Sequence, residues 1–319
     1  MSVLVFAELA EGAVKKTSLE AVSYGAKVAE MVGGTNTVLA IGAADSRTLA
    51  ELGNYGASKV LHAGAANLES ASIMAYADVL TAAAQSTGAT IIITAKSSLA
   101  DAVTARTAGA LKAGVVGNVT ELPKIEGGFS VTRSIFTGKA FAETKINTDI
   151  KVLAIKKNAI TPVISDATAA VEEFSPSIND AAFGAKITDT VKATGTVPLP
   201  EADIVVSGGR GMKGPEHWQP LLDLAEALGA TTACSKPVSD LDWRPHHEHV
   251  GQTGVKVSPN LYIACGISGA IQHLAGVNSS KVIVVINTDP EAPFFKAADY
   301  GIVGDVFRVL PKLTAALKA

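Results

Sequence analysis

The sequence predicts an α/β protein built from two parallel-sheet domains. Three observations carry that expectation. Short apolar runs alternate with segments of helical period, which is the βαβ rhythm of a parallel sheet. The chain is 319 residues long, more than one hydrophobic core usually organises. A stretch without periodicity, from about 160 to 200 and carrying Pro162, Pro176, Pro198 and Pro200, separates two such series. The expected boundaries are 1–190 and 191–319.

In the first series, Val3-Leu4-Val5-Phe6-Ala7 is an apolar run suited to a strand buried on both faces. Thr17 and Glu20 then read as a capping box, with Leu19, Val22, Ala26 and Ala29 at helical spacing until Gly33-Gly34. Strand-like Val38 to Ile41 follows, then a helical stretch near Leu49, strand Val60-Leu61, a helix from about Ala71 to Ser86, and strand Ile91 to Ile93. From Val115 to Ile155 the pattern changes. Segments such as Phe129 to Ile135 and Lys151 to Ile155, broken by glycine pairs and turns, predict antiparallel strands appended to the sheet.

The second series starts with strand Asp203 to Ser207 and a turn at Gly208-Gly209-Arg210-Gly211. Trp218, Leu221, Leu222, Ala225 and Leu228 then share one helical face. Strands Ala230 to Cys234, Leu261 to Ala264 and Val282 to Ile286 follow. Val306, Val309, Leu310, Leu313 and Leu317 give the closing helix its apolar stripe.

Composition narrows the function classes. The chain is 48% hydrophobic, 18% charged and carries a net charge of −3, so it shows no basic footprint for nucleic acid. No apolar run approaches the roughly 20 residues of a membrane span, and the apolar start, interrupted by Glu8 and Glu11 with no basic residue before it, is not expected to act as a signal peptide. Two cysteines, Cys234 and Cys265, read as reduced thiols of a cytoplasmic compartment.

Gly209, Gly211 and Gly214 satisfy G-x-G-x-x-G after a strand. Such glycines let backbone N–H groups approach a pyrophosphate, and Arg210 offers a fork for phosphate oxygens. The alternative is a turn shaped for close packing. An NAD site wants an acid about 20 residues on; here stand Cys234-Ser235-Lys236, which leaves NADP, with Lys236 on its 2′-phosphate, or another cofactor. A second anion site is expected at Gly266 to His273, with Ser268 as a helix N-cap. Between the two lies Val250-Gly251-Gln252-Thr253-Gly254, polar but without an acid, base or nucleophile. His246-His247-Glu248-His249 reads as a solvated loop rather than a metal site. Neither a nucleophile elbow nor a catalytic triad can be nominated.

The run Leu261-Tyr262-Ile263-Ala264-Cys265-Gly266-Ile267-Ser268-Gly269-Ala270-Ile271-Gln272-His273-Leu274-Ala275-Gly276 resembles the C-terminal signature of electron transfer flavoprotein alpha subunits. Ile286 to Pro293 and Asp299 to Val303 extend that resemblance. It implies a nucleotide-hydrolase-like N-terminal domain that meets a partner subunit, and a doubly wound C-terminal domain that binds FAD. It also implies a beta subunit carrying AMP, flavin dehydrogenases such as acyl-CoA dehydrogenases as donors, and a membrane quinone reductase as acceptor.

Carried over by position, the flavin contacts implied are Arg210, Ser235, Lys236, Val250, Gly251, Gln252, Thr253, Ser268, Gly269, Ala270, Ile271, Gln272, His273, Asn287, Asp305 and Val306. Thr253 would lie near flavin N5 and His273 near N1 and O2. The family commonly carries Arg where this chain has Lys236, which keeps the charge but loses the planar fork. A carrier needs no acid, base or nucleophile, because the cofactor does the chemistry. Lys236, His273 and the turn at Ser268 are then expected to favour a negatively charged, one-electron-reduced flavin. The competing readings are an NADP-dependent oxidoreductase and a nucleotide-binding protein without redox activity.

Overall fold

A computed structural model describes residues 2–138, 140–185, 187–188 and 198–318. It divides into two compact units, Met1–Thr190 and Val191–Ala319. Part of the predicted connection, 189–197, lies outside the described residues.

The first unit contains β1 (Ser2–Ala7), the small hairpin β2 (Leu9–Ala10) and β3 (Ala13–Val14), α1 (Lys16–Met31), β4 (Thr35–Ile41), α2 (Ser46–Ala50) and β5 (Lys59–Ala63). There follow α3 (Ile73–Thr87), β6 (Ala89–Ala95), α4 (Ser98–Leu111), β7 (Gly114–Val119), β8 (Ser130–Ile135), β9 (Ala140–Lys145), β10 (Lys151–Ile155) and β11 (Ala170–Glu173). Nine strands form one sheet in the order β11-β5-β4-β1-β6-β10-β7-β8-β9. Its core lies on both faces. Val3 and Val5 pack with Val22 and Tyr24 of α1, while Leu4 and Phe6 pack with Val79 and Leu80 of α3. Burying each such side chain contributes roughly 1.5–3 kcal/mol. Helix α3 is closed by Ser72, whose hydroxyl accepts from the Ala75 N–H, and by Gly88 at φ 61°.

Three sequence expectations are corrected here. Thr17 lies inside α1, whose N-cap is Lys15, and Glu20 instead accepts the backbone N–H groups of Asn158 and Ile160 at 3.0 and 3.1 Å. The predicted capping box thus braces a distant loop. Strand β10 is not an appended antiparallel strand; it runs parallel between β6 and β7. Its consecutive buried residues Val152 to Ile155 suit an interior parallel strand. The stretch from 160 to 200 is not only a connection, because β11 pairs parallel with β5 at the sheet edge. Helix α4, rich in alanine and threonine, carried too weak an apolar stripe to be anticipated.

The second unit contains β12 (Ile204–Gly208), α5 (Gln219–Leu228), β13 (Thr231–Cys234), α6 (Lys236–Asp240), β14 (Leu261–Cys265), α7 (Ile271–Val277), β15 (Val282–Asn287), β16 (Tyr300–Val303) and α8 (Val306–Lys318). All five strands are parallel, in the order β13-β12-β14-β15-β16. Tyr262, Ala264 and Val285 face one core layer, and Val206, Ile263 and Ile286 the other. Asp305 closes α8 by accepting the Phe307 N–H at 3.0 Å. The chain leaves β12 for β13 on one side and returns to β14 on the other. Ligands of open parallel sheets bind at that reversal, outside the carboxyl ends of the strands. The predicted fold class, two parallel-sheet α/β domains, is the one observed. No helix among the described residues is long and apolar enough to cross a membrane.

Candidate functional site

A cavity of about 650 Å³ opens at the strand reversal of the second unit. Arg210 and Gly211 reach it from the end of β12, and Ser235, Lys236, Pro237 and Asp240 from the end of β13. Gly266 to Ser268, Ala270, Gln272 and His273 come from the end of β14, and Asn287 and Asp289 from β15. His249, Val250, Gly251, Gln252 and Thr253 close another side.

The glycine turn works differently from the motif it matches. Only single 3-10 turns follow it directly, and its first α-helix, α5, begins at Gln219, so the strand-turn-helix context is not met. The N–H groups of Gly209 and Gly211 are already used, donating to the carbonyls of Cys265 and Gly266 at 2.9 and 3.0 Å. A Cβ on Gly211 would stand 2.6 Å from Gly266 Cα, and one on Gly266 2.7 Å from Gly211 Cα. These glycines let the turns after β12 and β14 touch backbone to backbone. Close packing, not a pyrophosphate cradle, explains them.

Anion-binding capacity sits in the next turn instead. Gly266 and Gly269 adopt φ 60° and 82°, and Ser268 gives its carbonyl to the Phe294 N–H at 3.0 Å. Ser268 is not the N-cap of α7; Ala270 is, and its side chain caps nothing. As a result the N–H groups of residues 268–272 have no acceptor among the described residues. Free consecutive amides of this kind form a nest for an anion. Asn287 braces the turn, donating to the Ile267 carbonyl at 3.1 Å and accepting the Asp289 N–H at 3.1 Å.

The end of β13 adds charges to those of Arg210 and Asp289 at the cavity. Lys236 pairs with Asp240 at 3.1 Å on α6, and both side chains are more than half exposed. Behind them lie two buried histidines. His273 meets the Tyr262 hydroxyl through Nε2 at 2.9 Å, while its buried Nδ1 is left with no more than a loose contact to the Val250 backbone. Burial, with a smaller contribution from His249, lowers its pKa to about 4, so it is neutral at pH 7. Cys265, fully buried at its strand end, has its thiol pushed up to about 12 by burial and is no nucleophile.

The histidine cluster is only half the solvated loop expected from sequence: His246 and His247 are exposed, but Glu248 and His249 are buried. Glu248 turns inward and takes a two-pronged contact from Arg244, at 2.8 and 2.5 Å. His249 is 2% exposed and lines the cavity. A single parallel bridge between His249 and Cys234 places it there, and nothing in hydrophobic periodicity signals such a bridge. Pro237, Asp240 and Asp289, which also line the cavity, were likewise missed. The signal available for most of them was position just beyond a predicted strand.

Of the expected contacts, Arg210, Ser235, Lys236, Val250 to Thr253, Ser268, Ala270, Gln272, His273 and Asn287 line the cavity. Gly269, Ile271, Asp305 and Val306 do not line it. Gly269 is buried against Phe294, Ile271 is 58% exposed, and Asp305 holds α8 and stands 4.0 Å from Lys213 Nζ. Among the described residues no three His, Cys, Asp or Glu side chains are grouped to hold a metal.

Residues 3–179 match the family model described as electron transfer flavoprotein domain, and residues 198–278 match that of the electron transfer flavoprotein FAD-binding domain. The electron transfer flavoprotein subunit alpha of Bacillus subtilis (strain 168) is 38% identical over 99% of this chain and 97% of its own length. That of Mycobacterium tuberculosis (strain ATCC 25618 / H37Rv) is 38% identical over 99% and 98%. The probable mitochondrial alpha subunit of Caenorhabditis elegans is 34% identical over 99% and 93%.

Proposed function

The chain belongs to the electron transfer flavoprotein family as an alpha subunit, and from that premise we propose that its cavity holds FAD and passes electrons singly between protein partners. The observation that carries this is the row of unused N–H groups at 268–272, next to Arg210 and Lys236 and in front of the buried His273. The donor set fits the group: free amides and a guanidinium for a diphosphate, polar side chains and a neutral imidazole for a ring rich in carbonyls and nitrogens. Gln252 and Thr253 have side chains without a hydrogen-bond partner among the described residues, so they are available to a ligand.

Bound FAD supplies reversible one- and two-electron chemistry. The residues of this chain bind, orient and bias it. Lys236 and the amides of 268–272 favour negative charge in the cavity, and Tyr262 fixes the His273 ring. The donors are flavin dehydrogenases such as acyl-CoA dehydrogenases, and the acceptor is a membrane quinone reductase. A beta subunit carrying AMP completes the heterodimer. Family membership supports these roles. The NADP reading is left without its foundation, because the glycine turn spends its amides on the neighbouring turn.

The test is an absorbance spectrum of the chain co-purified with its beta subunit, followed through stepwise anaerobic reduction. A flavin spectrum that bleaches through a distinct one-electron level supports the proposal. A colourless complex that binds NADP overturns it.

A further inference from the structure

The cavity holds a second histidine that the resemblance does not account for. His249 is 2% exposed and lines the cavity. Its Nδ1 is sealed from solvent with no hydrogen-bond partner, and no group of the described residues bonds its Nε2 either. Buried polar atoms are nearly always partnered, so a buried imidazole with both nitrogens idle at a cavity wall marks a group whose partner is a ligand. The loop around it is cut to fit. A Cβ on Gly254 would meet His249 Nδ1 at 2.7 Å, and one on Gly251 would meet Nε2 at 3.2 Å. Gly251 lines the cavity, which sets Nε2 on the cavity side of the ring and Nδ1 on the sealed side.

We infer that His249 faces the bound flavin and takes up a proton when the cofactor gains an electron. The inference rests on the proposed FAD site. The other groups that face this ring cannot take the role. On α6, Lys236 and Asp240 are paired with each other. His246, 5.7 Å away ring to ring, has its Nδ1 against the Ser239 hydroxyl at 3.2 Å. From α7, His273 is tied to Tyr262 through Nε2 and meets the Val250 backbone as well, and from β13 the Cys234 thiol is held protonated by burial. His249 begins neutral: burial lowers its pKa, Lys236 and His246 add to the effect, and Asp240 opposes it. A new anion within about 4–6 Å raises an imidazole pKa by roughly 1–3 units. Each electron arrives from the donor, the proton comes from water, and it binds one imidazole nitrogen with no bond broken in the chain.

Two measurements on the alpha–beta complex test this. Histidine-selective nitrogen NMR of the wild-type complex, with His249 assigned through His249→Gln, reads the six histidines in the oxidised and reduced forms. His249 should change from neutral to protonated on reduction near neutral pH. The one-electron equilibrium should shift about tenfold per pH unit in that window, about 59 mV, and His249→Gln and His249→Asn should flatten the dependence. An unchanged His249 signal on reduction, or the same pH slope in a flavin-loaded variant, overturns the inference. A wild-type complex without flavin overturns the site reading as well, so the two failures are distinguishable.

Discussion

The two sheets of this chain end their parallel strands in opposite ways. Each has a reversal of strand order where open α/β sheets bind ligands: between β1 and β6 in the first unit, and between β12 and β14 in the second. In the first unit the place is filled from within. Glu8, directly after β1, is buried, pairs with Lys15 and accepts the hydroxyl of Ser97, the N-cap of α4. Its own N–H donates to Ser18 at 2.9 Å. A carboxylate of the chain therefore stands where an anionic ligand would be drawn to a helix N-terminus. In the second unit the corresponding turns contribute glycines and idle N–H groups, and the space stays open. Architecture makes the place, and the two or three residues after each strand decide whether a ligand or the chain itself occupies it.

Substitutions can break this contrast. The largest effect is expected at Gly266→Ala, where a Cβ would meet the Gly211 backbone and the residue is held at φ 60°. About 3 kcal/mol of stability should be lost together with FAD, read by thermal unfolding and flavin absorbance. Gly88→Ala in the first unit has a similar φ of 61° but nothing within 4 Å, and should cost only about 1 kcal/mol. Equal losses would mean that backbone conformation alone, and not the contact between turns, explains Gly266.

Glu8→Ala should destabilise the first unit by about 2 kcal/mol, because Lys15 and the Ser97 hydroxyl lose their buried partner. Chemical denaturation followed at both units checks it; an unchanged midpoint would show that the plug is incidental. Acid should act selectively on the second unit. His273 has a folded pKa of about 4 against an unfolded value near 6.5. The unfolded chain therefore binds the extra proton first as pH falls, and the stability present above pH 6.5 declines below it. Between about pH 7 and pH 5 the loss should be about 2 kcal/mol, read by denaturation at the two pH values. His273→Gln should reduce that slope, leaving the part contributed by His249, whose pKa burial also lowers. The smallest effect is expected for Asp240→Asn, which frees the exposed Lys236 from its pair and should tighten FAD about threefold, measured by flavin fluorescence quenching.

Both sheets were legible in the sequence because their central strands are short, continuous apolar runs such as Val3 to Ala7 and Val282 to Ile286. The connectivity was less so. Strand β10 looks the same whether it is interior or appended, and β11, with Glu172 and Glu173, has no apolar alternation at all. Within the site, Lys236 and His273 stood out because charge and strand-end position are local properties. His249 and the true use of Gly209 and Gly211 depend on backbone contacts between turns more than 50 residues apart in sequence, or on one isolated bridge, and no local pattern encodes either. Ser268 misled because a serine before a helix usually caps it, whereas here Gly269 displaces the helix start to Ile271.

The measurement that bears most directly on the contrast is the FAD dissociation constant of the alpha–beta complex, compared between two variants. Arg210→Gln combined with Lys236→Gln removes the cations at the second unit's strand ends, and Lys96→Gln removes one at the first unit's. The double variant should bind FAD at least about tenfold more weakly, with Lys96→Gln within about twofold of wild type. Loss of FAD in Lys96→Gln with retention in the double variant would place the cofactor at the wrong sheet and contradict the account.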